Sequence, residues 1–325
     1  MSVSRLVWVI GAGGLLGSSV RRELDRDAWR ASQPFNWTDP ERLRQDFSDA
    51  VRAFCDRLAA EPGRAWAIAW CAGAGVVATS AQALAAETVA FQHFLTLLAA
   101  EPELGARPGC ISLASSAGGV YGGCFVSPIT EATPPQPISP YGFAKLEQEQ
   151  LLMAWAASQP NVSVVIARFS NLYGPGQRLD KPQGLVSHAS RCLIYGAPLH
   201  VYVSTDTIRD YLFAEDAGHA LVVVLRRVGY EKQLPVIKLI ASEKEISISG
   251  LLGVFRQISR RKLRVVAGLH RLAVLQPKRL QFRSQVWPDP TQRNLELVEG
   301  VSRVYRRQLA DFAKGRLPSP VVRKA

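Results

Sequence analysis

The sequence predicts an α/β fold: a doubly wound parallel sheet followed by a smaller C-terminal α/β part. Three observations predict it. The first apolar run, Arg5 to Ile10, leads at once into glycines at 11, 14 and 17 and then into a helical pattern reaching about Asp25. Further apolar runs recur at Ala65 to Trp70, around Cys110 and at Val162 to Arg168, separated by helical patterns. Such continuous runs suit strands buried on both faces of a parallel sheet. The chain of 325 residues, 47% hydrophobic and 20% charged, can bury a large core and is not disordered in composition.

The first turn carries chemistry. In Gly11-Ala-Gly13-Gly14-Leu15-Leu16-Gly17, the first glycine allows a tight turn. The second lets a pyrophosphate approach the N–H groups of the helix N-terminus, and the third allows close helix–strand packing. Gly11, Gly13, Gly14, Leu15, Leu16 and Gly17 are therefore candidate cofactor-binding residues. The second strand should end near Gln33. That end is where an acidic residue would hold a ribose 2′-hydroxyl. The segment Trp29-Arg-Ala-Ser-Gln-Pro-Phe has no acid, so NAD and NADP both stay open. Arg30 or Ser32 would accept a 2′-phosphate, or both are ordinary strand residues.

Asn36 to Pro40 caps a helix reaching about Ala60. The strand Ala65 to Trp70 ends in Cys71-Ala72-Gly73-Ala-Gly. Small residues after a parallel strand let a ligand lie against the backbone, which makes Ala72 and Gly73 candidates. A helix spans about Ala81 to Ala100, and the strand from Cys110 runs into Ser115-Ser116-Ala-Gly-Gly-Val-Tyr-Gly. Pro128 to Pro140 reads as a loop. Ser139-Pro140-Tyr141-Gly-Phe-Ala-Lys145 then opens a helix, with Ser139 as N-cap and Pro140 first in the helix. Residues four apart share a helix face, so Tyr141 and Lys145 project together. A nearby ammonium lowers the phenol pKa, which suits the pair to proton transfer at a hydroxyl.

The net charge is +12. Residues 1–225 hold 17 basic and 20 acidic side chains, and residues 226–325 hold 22 basic and 7 acidic ones, a net of +15. That surface would attract a diphosphate ligand, an anionic membrane face or nucleic acid. Few aromatics interleave with it and no recognition motif is present, so nucleic acid ranks low. The five cysteines lack Cys-x-x-Cys spacing, which reads as buried thiols in a reducing cytoplasm, with neither disulfide nor metal. No apolar run has the length of a membrane span. Leu6 to Val20 is interrupted by glycines and belongs to the first turn rather than to a leader.

Five motifs occur in order: Gly-x-x-Gly-x-x-Gly at 11–17, serines at 115–116 ahead of Val-Tyr-Gly, Tyr-x-x-x-Lys at 141–145, Arg-x-x-Asn-x-Tyr-Gly-Pro at 168–175, and Arg209-Asp210-Tyr211 with Asp216. Together they resemble the extended short-chain dehydrogenase/reductase family, specifically the NAD-dependent epimerases and dehydratases of nucleotide sugars, over roughly residues 5 to 310. The resemblance implies a Rossmann-like domain at 1–178, to which 204–225 returns. Residues 179–203 and 226–325 would form the smaller substrate domain. Tyr141 would be the catalytic base and acid, and Lys145 would bind the nicotinamide ribose. The serine or threonine that many relatives carry four residues before the Val-Tyr-Gly tyrosine falls here on Ala117, which leaves Ser116, then Ser115, to hold the sugar oxygen. Phe169 would lie near the nicotinamide, Asn171 near the substrate phosphates, and Arg209 would clamp the diphosphate. Lys238 stands where relatives carry an asparagine.

The dehydratases of this family carry Thr-Asp-Glu where this chain has Ala117-Gly118-Gly119, which points to epimerisation at C4. The alternatives are a keto-sugar reductase, an epimerase of a polyprenyl-diphosphate sugar at the membrane surface, and a cofactor-binding scaffold without turnover. The resemblance also implies a homodimer through the helices at about 81–100 and 139–157.

Overall fold

The computed structural model describes residues 5–25, 28–180, 183–228, 235–268, 277–289 and 292–320. The basic tail read at Val321 to Ala325 lies outside them. The chain begins with β1 (Arg5–Ile10), α1 (Leu15–Leu24), β2 (Ala28–Trp29), α2 (Pro40–Ala59) and β3 (Ala65–Trp70). It continues through α3 (Ala81–Ala99), α4 (Pro102–Gly105), β4 (Gly109–Ser116), α5 (Ala117–Val120), α6 (Pro140–Ala157) and β5 (Val162–Phe169). Next come β6 (Asn171–Tyr173), α7 (Leu185–Tyr195), β7 (Leu199–Val201), β8 (Ile208–Phe213) and α8 (Ala214–Arg227). The last elements are β9 (Val236–Ile240), β10 (Glu245–Ser247), α9 (Ile248–Ser259), β11 (Val265–Ala267) and α10 (Leu297–Ala313).

Among the described residues the main sheet has six parallel strands in the order β2-β1-β3-β4-β5-β9. Its inner strands are apolar on both faces because helices cover both. On one face Trp8, Ile68, Ile111, Leu113 and Ile166 pack under Phe47, Phe54, Phe91, Phe94 and Leu152 of α2, α3 and α6. On the other, Val7, Val9, Ala67, Ala69 and Val165 meet Leu16 and Val20 of α1 and Leu221, Val222 and Leu225 of α8. This is the doubly wound arrangement. Strand order reverses between β1 and β3, so the loops after both strands meet at a crevice beyond their C-terminal ends.

Two expectations shift. The second strand is two residues long and ends at Trp29 rather than near Gln33. It lies at the sheet edge with β1 as its partner, so little pairing sustains a longer one. Val236–Ile240, placed by its position in the substrate part, instead pairs with β5 and closes the opposite edge of the main sheet. The remaining C-terminal elements form their own core. There Tyr173, Val186, Phe213, Leu251, Phe255 and Val304 come together from β6, α7, β8, α9 and α10.

Candidate active site

The glycine turn is built by close backbone approach. Gly11 has φ +80°, and a Cβ there would lie 2.6 Å from the backbone nitrogen of Ala72. A Cβ on Gly17 would lie 2.2 Å from the carbonyl oxygen of Gly11. The first contact presses the β1–α1 turn against the β3–α3 loop, and the second packs the start of α1 against the turn itself. At Gly13 a Cβ would meet nothing within 4 Å. Gly14 caps α1 without any side-chain acceptor, so the first N–H groups of a ten-residue helix face the crevice unblocked by their own cap. The cradle fits a pyrophosphate. Leu15 and Leu16 begin the helix, and Leu16 is buried.

Tyr141 stands in the first turn of α6. Ser139 accepts from the N–H of Gly142 at 3.1 Å, and Pro140 follows it. A Cβ on Gly142 would lie 2.2 Å from the Gly119 carbonyl oxygen, so α6 sits directly on α5. The Tyr141 ring lies along Gly119, where an added Cβ would stand 3.1 Å from two ring carbons and 3.3 Å from Ser116 Oγ. Ser116 ends β4, caps α5 by accepting from Gly119 N at 3.1 Å, and hydrogen-bonds the phenol. Burial pushes the phenol pKa up, the Ser116 hydrogen bond opposes this, and the Glu87 carboxylate adds to it. The expected lowering by Lys145 is not what dominates here.

Lys145 is buried, and its Nζ donates to Gln148 Oε1 at 3.1 Å and to the Ala114 carbonyl at 3.5 Å. A Cβ on Gly73 would lie 3.4 Å from that Nζ, so the ammonium faces the loop that carries Ala72 and Gly73. Burial lowers the lysine pKa, and the carboxylates of Glu87 and Glu149 oppose this. Tyr141, Lys145 and Ser116 thus converge beside the glycine turn's neighbouring loop.

Ser115 does not join them. It continues the Ile111–Leu113 face of β4 beneath α6, where its hydroxyl donates to Glu149 Oε1 at 2.5 Å. Arg168 grips the same carboxylate through Nε at 3.0 Å and Nη2 at 2.6 Å, and donates Nη1 to the Tyr121 hydroxyl. All four residues are buried, so the second serine belongs to a closed ionic network behind the site. Ala117, also buried, has no hydroxyl to offer.

Phe169 is buried at the end of β5, opposite Ser116 in register, and packs with Leu16, Leu212 and Ile240. Asn171 pairs in register with Tyr211 and donates to the Asp210 carbonyl at 3.0 Å. Arg209, two residues before Tyr211, therefore shares the sheet face of Asn171. It is only 7% exposed, donates to the Ile208 carbonyl at 2.8 Å, and has its pKa lowered by burial. Asp210 and Asp216 of the same motif are structural. The first accepts from the N–H and hydroxyl of Ser242 at 2.9 Å each, and the second accepts from Leu295 N at 2.6 Å. Sequence reading passed over Glu87, which accepts from Ala74 N at 2.6 Å, and over Gln148 and Glu149. For Gln148 and Glu149 the available signal was their helical spacing from Lys145; Glu87, on α3, carries no such signal. Lys238, buried in β9, donates to Ser284 Oγ at 2.5 Å and the Val286 carbonyl at 2.7 Å, a structural use.

Residues 7–235 match the model of the NAD dependent epimerase/dehydratase family. The chain belongs to that family. It is 34% identical over 112 residues to human dTDP-D-glucose 4,6-dehydratase and 35% identical over 98 residues to dTDP-L-rhamnose 4-epimerase of Burkholderia thailandensis. These matches take in 33% and 30% of this chain but only 30% and 27% of those enzymes. Among solved structures, MoeE5 in complex with UDP-glucose and NAD superposes with a TM-score of 0.76 at 22% identity, covering 94% of this chain and 99% of that one. The epimerase/dehydratase fold is thus shared along nearly the whole length. No helix among the described residues is long and apolar enough to cross a membrane.

Gly119 sets the position of the Tyr141 ring, since a Cβ there would stand 3.1 Å from two of its carbons. Gly119→Ala is expected to lower turnover by about tenfold, since a misplacement of about 1 Å costs up to about 10². Dinucleotide affinity should be unchanged. Steady-state kinetics beside a cofactor titration checks this, and unaltered turnover would mean the ring's position is not critical.

Proposed function

We propose that the chain is an NAD(P)-dependent nucleotide-sugar epimerase that inverts C4 through a keto intermediate. The observation that carries this reading is the Tyr141 phenol, hydrogen-bonded to Ser116 and one helical turn from Lys145, beside an uncapped α1 N-terminus. Gly11 to Gly17, with Ala72 and Gly73, would hold the dinucleotide, which supplies a hydride acceptor when bound. Tyr141 takes the proton from the sugar hydroxyl and later returns it. Ser116 hydrogen-bonds the reacting oxygen, and Lys145 keeps positive charge next to the ribose position. Asn171 and Arg209 bind the diphosphate. Ala117-Gly118-Gly119 offers no acid to drive elimination, which disfavours dehydration. No acidic residue follows β2 in 29–35, so the choice between NAD and NADP is left to the cofactor titration.

The proposal includes a cytoplasmic homodimer. The helices α3 and α6 lie side by side, and Val89 and Phe143 on them are 53% and 57% exposed.

The test is incubation of the purified protein with UDP-, GDP- and dTDP-sugars, first without cofactor and then with NAD or NADPH, the products being resolved by NMR. An epimer formed with catalytic cofactor is the expected result. Stoichiometric NADPH oxidation by a keto-sugar would replace epimerase with reductase. Cofactor binding with no turnover of any soluble sugar would redirect the assignment to a lipid-linked diphosphate sugar or a scaffold.

A further inference from the structure

We propose that the C-terminal end of α9 and strand β11 form a docking surface for an anionic membrane. Between Glu245 and Asp289 the sequence has nine Lys or Arg residues and no Asp or Glu. The structure gathers several of these at one tip. The inner face of α9 is anchored by Ile248, Leu251 and Phe255 in the C-terminal core. At its other end Arg256, Arg260, Arg261 and Lys262 are all exposed. Cations gathered at a helix C-terminus are favoured by the backbone carbonyls there. Lys278, beside Tyr202 and Gly268, is paired with Asp206 at 2.8 Å, so these two charges cancel and the arginines and Lys262 keep the tip cationic.

The charge adjoins an apolar edge. Strand β11 runs parallel to β7, and among the described residues these two strands form a sheet of their own. All three of its residues face solvent, with Val265 and Val266 at 38% and 42% exposure. Tyr202, 41% exposed, lies over Gly268 at the strand's end. A core strand would bury such valines. Here they project next to the arginines, with a tyrosine whose ring has one apolar and one hydrated end. Basic side chains beside valine and tyrosine match a bilayer surface, where lipid phosphates meet the first is cationic and acyl chains meet the second is apolar. A polynucleotide would satisfy the charge but leave the valines uncovered.

The surface does not depend on the reaction proposed above, so the test needs no substrate. The full chain is co-sedimented with vesicles of phosphatidylcholine containing phosphatidylglycerol, with pure phosphatidylcholine vesicles, and with a single-stranded oligonucleotide as competitor. Binding to the anionic vesicles alone, abolished at about 1 M salt, is expected. At about 1 kcal/mol per basic residue, the triple variant Arg260→Gln, Arg261→Gln, Lys262→Gln should bind about a hundredfold more weakly. Val265→Thr with Val266→Thr, which removes apolar surface without changing any charge, should also weaken binding. Thermal unfolding of each variant confirms that it folds. Equal binding to neutral vesicles, unchanged binding by the triple variant, or displacement by the oligonucleotide would overturn the proposal.

Discussion

Tyr141→Phe is expected to lower turnover by about 10²–10⁴, the usual worth of a positioned proton donor and acceptor, with dinucleotide binding retained. The retention follows from geometry. The ring packs along Gly119 and Gly75, and a phenylalanine ring keeps those contacts. The hydroxyl's hydrogen bond is to Ser116, which remains capped onto Gly119 N. What is lost is the hydroxyl proposed to move a proton at the sugar oxygen. Burial and the Glu87 carboxylate hold the phenol pKa above its ordinary value, so the proton-accepting form is scarce near neutrality in the free protein. Turnover in the parent enzyme should accordingly rise toward alkaline pH, and the variant should lose that dependence. Single-turnover kinetics across pH, beside a calorimetric cofactor titration, measures both. If the variant retained full turnover, the proton would have to travel by another group and the assignment of the site would fail.

The placement of Tyr141 and Lys145 on one helix face was legible in sequence because a helix fixes the relation of residues four apart. Tyr141 and Lys145 needed only the helix start, and Ser139-Pro140 marks it. The glycine turn was legible for a similar reason, since its spacing encodes contacts within one turn. What local pattern could not give was the choice between two adjacent serines. Ser115 and Ser116 differ in role because of Glu149, 34 residues away from Ser115 in sequence, and because the strand ends at Ser116 and passes into α5. Long-range pairing also explains β9. Its five residues lie within the segment assigned to the substrate part, and it is pairing with the edge of β5 that makes them close the main sheet. The second strand failed in the opposite direction: its sequence allowed a longer strand, but an edge with one partner did not sustain it.

Arg168→Met is expected to destabilise the fold by about 3–5 kcal/mol, the cost of stranding one member of a buried ion pair. For a chain of this size that corresponds to a fall in Tm of about 10 °C. The side chains of Arg168 and Glu149 are 2% and 0% exposed, so water cannot replace the lost partner. The guanidinium also lies over the Tyr121 ring, 4.9 Å from its centroid, and a methionine keeps much of that packing. The loss is therefore mainly electrostatic: of the donors that now grip the Glu149 carboxylate, the Ser115 hydroxyl would remain and both guanidinium bonds would go. A double variant, Arg168→Met with Glu149→Met, removes both charges and should regain most of the stability, because two well-packed apolar groups often equal a buried pair. Function should not follow stability in that case. Glu149 stands one turn beyond Lys145 on α6 and opposes the burial-driven lowering of the lysine pKa. Without it, Lys145 would lose its proton at a lower pH. The stable double variant should therefore show a reduced kcat whose rise toward alkaline pH is cut off at a lower pH than in the parent, with substrate KM little changed. Thermal unfolding with pH–rate profiles separates the two effects. A double variant as unstable as the single one would mean that shape, not charge, holds α6 on the sheet. Wild-type kinetics in a stable double variant would confine the network to folding.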